Sequence, residues 1–352
     1  NTTRLEAMNR LATNKSWVDR YFTIIKVGIM LCAYGYLAYT LAHFEYYQQF
    51  AQSFSHISLD RYLFLSAALL FIALNWGLEG LKWQALLSHL HPSSLGWSIK
   101  SILIGITAGF FTPNRIGEPV GRSILLPDGK RSQGVALMLV GVMGQIFASL
   151  VYGVVAPTGF LSLHLGTYVS TVDICQMVGG VLLGLLSLCY FTLPSWGKCV
   201  VTGQFTPFWQ FVYDMRSGLL RFSWFTNLLK SAIPYLKAAL SVSYPTLLKV
   251  TLYSLLRYGV YCLQYFFMLR FFDVPIDTLT ALLLIPINYL AVSITPSIAF
   301  AEMGIRGSIG IALIGTFTSN TVGVALAAIS VWLINYVIPM LTGSVLLWRE
   351  NK

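Results

Sequence analysis

Uninterrupted apolar runs of twenty residues or more recur along this chain. A hydrocarbon core about 30 Å thick takes roughly 20 helical residues to cross, and backbone polar groups inside it must be satisfied by the segment itself. Six stretches meet that requirement: Tyr21–His43, Tyr62–Leu90, Gly134–Ala156, Ile174–Leu193, Leu247–Phe272 and Thr321–Leu347. With 56% hydrophobic and only 10% charged residues over 352 positions, there is too little polar surface for a soluble domain. The expectation is an all-α polytopic membrane protein. Disorder, nucleic-acid binding and a disulfide scaffold are excluded, since Cys32, Cys175, Cys189, Cys199 and Cys262 occur singly in or beside apolar segments.

Two further regions are apolar but divided. Ser101–Phe111 is followed by Thr112-Pro113 and a second short piece ending at Leu126. Thr278–Ile294 is followed by Thr295-Pro296 and a piece ending near Phe317. Each pair could be a re-entrant hairpin or a full span plus an interfacial helix, and charge bias chooses between them. With six spans and two hairpins, sixteen basic residues fall on one side, among them Lys100, Lys130, Arg131 and the basic residues of 194–246. Full crossings by the short pairs would move Lys130, Arg131 and that whole segment across, against the positive-inside tendency. The prediction is six full spans plus two re-entrant helical hairpins with both termini cytoplasmic. Residues 1–20 form a cytoplasmic segment, and 194–246, with Trp196, Trp209 and Trp224 among its basic residues, an interfacial one.

The two divided regions resemble each other. Residues 112–123 read Thr-Pro-Asn-Arg-Ile-Gly-Glu-Pro-Val-Gly-Arg-Ser, and residues 295–308 read Thr-Pro-Ser-Ile-Ala-Phe-Ala-Glu-Met-Gly-Ile-Arg-Gly-Ser. Each has Thr-Pro, a glutamate, then an arginine four residues later. The chain therefore reads as two repeats, 21–156 with hairpin 101–126 and 174–347 with hairpin 278–317. Three spans per repeat is an odd number, so the second is inverted and the hairpin tips approach each other near the midplane, where transporters of this plan bind substrate.

Thr112-Pro113 and Thr295-Pro296 are helix-start signals, the hydroxyl capping free amides and proline fitting the first turn. Each tip would begin a half-helix whose positive end favours an anion. A helix continuing from Pro113 puts Arg115, Glu118 and Arg122 on one face, and Glu302 and Arg306 share another. Glu79, Lys82 and Arg257 add charges within the flanking spans. Eight ionised groups facing lipid at about 2.5–3.5 kcal/mol each would cost roughly 20–28 kcal/mol, above the ~5–15 kcal/mol stability of a folded protein. They must face one another, water or a polar ligand. Pairing by neighbour leaves Arg115 and Arg257 unmatched, which predicts an anionic guest, either a soluble anion or a lipid headgroup, since arginine stays charged and holds phosphate oxygens in bidentate fashion. Gly105 with Gly109, and Gly180 with Gly184, suit a groove open sideways to lipid.

The run Pro113-Asn114-Arg115-Ile116-Gly117-Glu118-Pro119-Val120-Gly121-Arg122 resembles the Pro-x-Arg-x-Gly-Glu…Arg signature of the lysylphosphatidylglycerol synthase transmembrane, or flippase-like, family, and Thr295-Pro296…Gly304-Ile305-Arg306 resembles its second motif. One residue more than usual separates Glu118 from Arg122, and Glu302 precedes the Gly-x-Arg where relatives commonly carry the acid after it, at the position of Gly307. The resemblance implies a domain that moves lipids, such as aminoacylated phosphatidylglycerol or polyprenyl-linked carriers, between leaflets of a bacterial cytoplasmic membrane. Synthesis is not expected, because the aminoacyltransferase domain of fused members is not in this sequence.

The resulting expectation is a lipid translocase, with Arg115, Glu118, Arg122, Glu302, Arg306 and Arg257 binding the headgroup. Thr112, Pro113, Thr295, Pro296, Glu79 and Lys82 support them. The substrate is a membrane phospholipid or polyprenyl-phosphate lipid; no cofactor, metal, nucleic-acid partner or catalytic residue is expected. A membrane-embedded headgroup transferase and a soluble-anion transporter remain the alternatives. The lipid's identity, the direction, the driving ion, the oligomeric state and protein partners are not specified by these residues.

Overall fold

The computed structural model describes residues 58–110, 112, 115–164, 169–195, 238–295 and 299–350, together with Gly35 and Tyr39. The rest of the first expected span, the segment before it, most of 194–246, Pro113 and Pro296 lie outside the described residues.

The described chain is helical throughout. Its elements are α1 (Leu59–Leu87), α2 (Leu95–Phe110), α3 (Gly117–Ser123), α4 (Arg131–His164), α5 (Val169–Phe191), α6 (Tyr244–Phe271), α7 (Thr278–Ile294), α8 (Ala299–Leu313), α9 (Thr321–Trp332) and α10 (Ile338–Glu350). A five-residue π-helical turn, Leu333–Val337, joins α9 to α10. Pro339 explains it: proline lacks an amide and crowds the carbonyl four residues back, and a widened turn relieves both conflicts.

Four helices among the described residues are long and apolar enough to cross a membrane: Leu59–Leu87, Arg131–Phe160, Met177–Ser195 and Thr321–Arg349. The chain is an integral membrane protein. Helix α6 is 28 residues long, enough to span, but Lys249, Arg257, Gln264 and Arg270 keep it outside that apolar set. The reason is its partner. Arg61 Nε donates to Phe271 O at 2.7 Å, Gln264 Nε2 to Ala68 O at 3.0 Å, and Arg257 Nε to Asn75 Oδ1 at 2.8 Å. These contacts recur every seven residues on both helices, two helical turns apart, so α1 and α6 pack antiparallel along their length with a polar seam.

Burial on α1 is inverted relative to a soluble helix. Asn75, Glu79 and Lys82 are inside, whereas Leu63, Leu70 and Leu74 are exposed. On α5, Met177, Val181, Leu182, Leu185 and Leu188 are likewise more than half exposed. Apolar side chains outside and ionised ones inside is the arrangement a lipid solvent selects.

Helices α2 and α3 form a tight hairpin zipped by glycine. A side chain at Gly105 would strike Arg122, and one at Gly121 would sit 2.6 Å from Ala108 Cβ and 2.9 Å from Gly105 Cα. Gly109 and Gly117 make similarly close approaches to Glu118 and Ala108. Gly105 and Gly109 thus face α3 and not a lateral groove, because paired small residues let two backbones touch. Gly180 and Gly184 have nothing within 4 Å among the described residues.

Each short helix pair is closed at its base. Lys130 Nζ, just after α3, donates to Leu90 O, just before α2, at 2.8 Å. Asn320 Nδ2, just before α9, donates to Phe272 O, just before α7, at 2.9 Å. Leu90 follows the end of α1 and Phe272 the end of α6. Since α1 and α6 are antiparallel, the two bases lie at opposite ends of the bundle.

Candidate functional site

The turn between α2 and α3 is organised by Thr112. Its hydroxyl donates to Gly109 O at 3.0 Å and accepts from Gly117 N at 2.8 Å, tying the end of one helix to the start of the next. The helix begins at Gly117, so Arg115 is not on the helical face expected from the Pro113 start. Arg115 instead adopts a left-handed backbone, φ 58°, which turns its side chain away from the α3 stripe. Thr295 behaves differently: its hydroxyl donates back to Ala291 O at 2.9 Å, so it closes α7.

The two motifs meet. Arg115 Nη2 lies 2.9 Å and 2.7 Å from the two Glu302 oxygens, and Arg306 Nη2 lies 3.3 Å from Glu302 Oε2. On the other side Glu79 gathers three cations: Lys82 at 2.7 Å, Arg122 at 2.7 Å and Arg257 at 3.0 Å. Arg122 also reaches Glu118 at 2.5 Å. Neighbour pairing had left Arg115 and Arg257 unmatched, and the fold corrects this, because carboxylates distant in sequence are shared between arginines. The surplus survives in collective form: Lys82, Arg115, Arg122, Arg257 and Arg306 stand against Glu79, Glu118 and Glu302, five cations to three anions.

The helix ends also differ from expectation. Helix α3 has only seven residues, and Glu118 in its first turn already supplies the anion its amino end would attract. Glu302 occupies the first turn of α8 in the same way. Attraction for an added anion therefore resides in the guanidinium groups.

A cavity of about 260 Å³ opens beside this cluster. Glu79, Lys82, Arg115, Glu118, Arg122 and Arg257 give it a charged floor, and Trp76, Trp83, Ile106 and Met138 an apolar wall. Val142 and Ile146 of α4 also line it and are 39% and 47% exposed, so its rim joins the apolar exterior of a candidate span. Arg306 and Glu302 were expected in the same cavity. They do not line it, because Arg115 and Tyr336 stand between.

Several participants carry no charge and no motif. Tyr336, on the π turn, has Arg115 3.7 Å and Arg306 5.4 Å from its ring centre. Asn335 donates to Gln264 Oε1 at 2.7 Å and accepts from Asn75 Nδ2 at 2.8 Å. Gln145 accepts from Arg257 at 3.3 Å. Asn75, Gln264 and Asn335 are fully buried, and amides in apolar runs are the signal that could have found them. Tyr336 has no comparable sequence mark.

A search of curated proteins returns no match. A family model described as the lysylphosphatidylglycerol synthase TM region matches residues 23–343, more than nine-tenths of the sequence and both arginine motifs. The chain belongs to the lysylphosphatidylglycerol synthase transmembrane family.

Proposed function

We propose that this protein is a lipid translocase that carries a phosphate-bearing headgroup past the bilayer centre. The observation that carries the reading is the cavity: a net-positive floor inside, and a rim of exposed apolar side chains on α4. A phosphodiester can reach the arginines while its acyl chains stay in lipid, whereas a soluble anion gains nothing from the apolar rim. The family's name also ties its members to a membrane phospholipid.

In this reading α2–α3 and α7–α8 are re-entrant hairpins. Helices of 16 and 17 residues are about 24–26 Å long at 1.5 Å per residue, short of the core thickness. Bases closed at opposite ends and tips joined by Arg115–Glu302 fit two inverted repeats with alternating access. With the Lys130 end cytoplasmic, the cavity opens to the inner half of the bilayer. A transferase is less well supported: Glu118 and Glu302, the acids it would use, are both held by arginine, Glu118 by Arg122 and Glu302 by Arg115 and Arg306.

The test is dithionite quenching of fluorescent acyl-labelled phosphatidylglycerol in vesicles containing the native protein or Arg115→Gln. Arg115 sits on a turn with 26% of its side chain exposed, so it is the member least needed for folding. We expect translocation at least tenfold slower with unfolding temperature within a few degrees; equal rates would remove the site assignment. Movement of encapsulated inorganic phosphate by the native protein at a rate independent of lipid would instead favour a soluble-anion carrier.

A further inference from the structure

The ion-paired core is divided. On one side of Tyr336, Arg122, Arg257 and Lys82 face the cavity around Glu79; on the other, Arg306 lies behind the ring and outside the cavity lining. The ring touches both groups, with Arg115 at 3.7 Å and Arg306 at 5.4 Å from its centre. An aromatic face holds a guanidinium without neutralising it, and the two arginines share the single carboxylate of Glu302, so the pair keeps a net positive charge for an incoming oxyanion.

The Arg306 side of the ring has buried donors to spare. Among the described residues, Arg306 Nε and the Tyr265 hydroxyl are buried without a hydrogen-bond partner. Tyr265 reaches over α8 at Gly310, one turn beyond Arg306, where an added Cβ would lie 2.9 Å from its oxygen. Buried donors in a finished core are ordinarily satisfied, and a phosphate oxygen could accept from both.

The ring also stands on the irregular turn of its span. Its π turn is a widened segment in a span otherwise α-helical, and such turns occur frequently at functional sites. Asn335, next to Tyr336, fastens that turn to α1 through Asn75 and to α6 through Gln264. A rotation of the turn would therefore be felt by both helices that hold the cavity.

Resting on the translocase reading above, we propose that the protein holds a lipid phosphodiester at two successive stations. The first is Arg122–Arg257–Arg115 in the cavity, the second is Arg306 with Tyr265, and Tyr336 is the aromatic gate a headgroup displaces between them. Tyr336 is a positioning residue for transfer, and the first station binds without it.

The experiment compares native protein with Tyr336→Phe and Tyr336→Leu in phosphatidylcholine vesicles containing one-tenth phosphatidylglycerol. Retained phosphatidylglycerol is counted by native mass spectrometry and translocation of its fluorescent analogue by dithionite. Phe keeps the ring, so binding and translocation should both stay within twofold of native. Leu removes the ring, so binding should stay within twofold while translocation falls at least tenfold. Translocation by Leu at the native rate, loss of binding together with translocation, or a Phe variant as slow as Leu would each overturn the gate. Should the Leu variant not yield a monodisperse protein, Tyr336→Met carries the same expectation. Binding without translocation by the native protein would sink the translocase reading itself, and is read without any variant.

Discussion

At the residue scale, the molecule depends on a few carboxylates that each serve several cations. Glu79 is 2% exposed and holds Lys82, Arg122 and Arg257 at once. Removing one partner of a buried ion pair costs about 3–5 kcal/mol, because the remaining charges are left uncompensated. Glu79→Gln should therefore lower the detergent-solubilised unfolding temperature strongly and reduce the yield of monodisperse protein. Glu118 has one arginine and a 15% exposed side chain, so Glu118→Gln should cost clearly less in the same measurement; equal losses would mean that Glu79 is not the hub. Arg257→Lys keeps the charge but cannot span Asn75, Gln145 and Glu79 with one planar group. Its expected signature is weakened phosphatidylglycerol retention with little change in stability.

At the element scale, helix contacts are set by where backbones touch. Gly343 of α10 faces the Leu103 carbonyl of α2, and Thr107 Oγ1 donates to Met340 O at 2.8 Å. A methyl group there meets backbone, which cannot move aside as a side chain can. Gly343→Ala and Gly121→Ala should each destabilise by about 1–3 kcal/mol through overpacking. Gly180→Ala, with open space around it, should change stability by less than about 0.5 kcal/mol. A thermal-shift series over these three tests the hairpin packing without involving the charged cluster. At the amino end of α7, Asp277 accepts from the Thr280 amide at 3.0 Å, a contact that holds its carboxyl below the ordinary carboxylate range. This cap is made while the carboxyl is ionised and fades as pH falls through that lowered value.

At the scale of the whole molecule, opposite hairpin bases require opposite sidedness. Asp128 lies beside the first base and Asp273 beside the second. Asp128→Cys and Asp273→Cys, introduced singly into a cysteine-free background, should react with a membrane-impermeant maleimide from opposite faces of sealed vesicles. Labelling of both from one face would end the inverted arrangement, and with it alternating access between two stations.

The length and apolarity of the runs determined the helical membrane fold, since an apolar run of about twenty residues satisfies its own backbone in lipid as a helix, whereas a spanning strand needs only about ten residues and a closed barrel around it. The recurrence of Thr-Pro…Glu…Arg was legible in the same way and marked two segments that the structure brings together through Arg115 and Glu302. What the sequence could not carry was which acid serves which base. Glu79 and Arg257 are far apart in the chain, and only the seven-residue register of α1 on α6 makes them neighbours. Nor could it place Tyr336 between Arg115 and Arg306, because that depends on a widened turn ahead of Pro339 and on three helices converging. Hydrophobic length is a local property, readable residue by residue; the pairing of buried charges is fixed by the geometry of the assembled bundle.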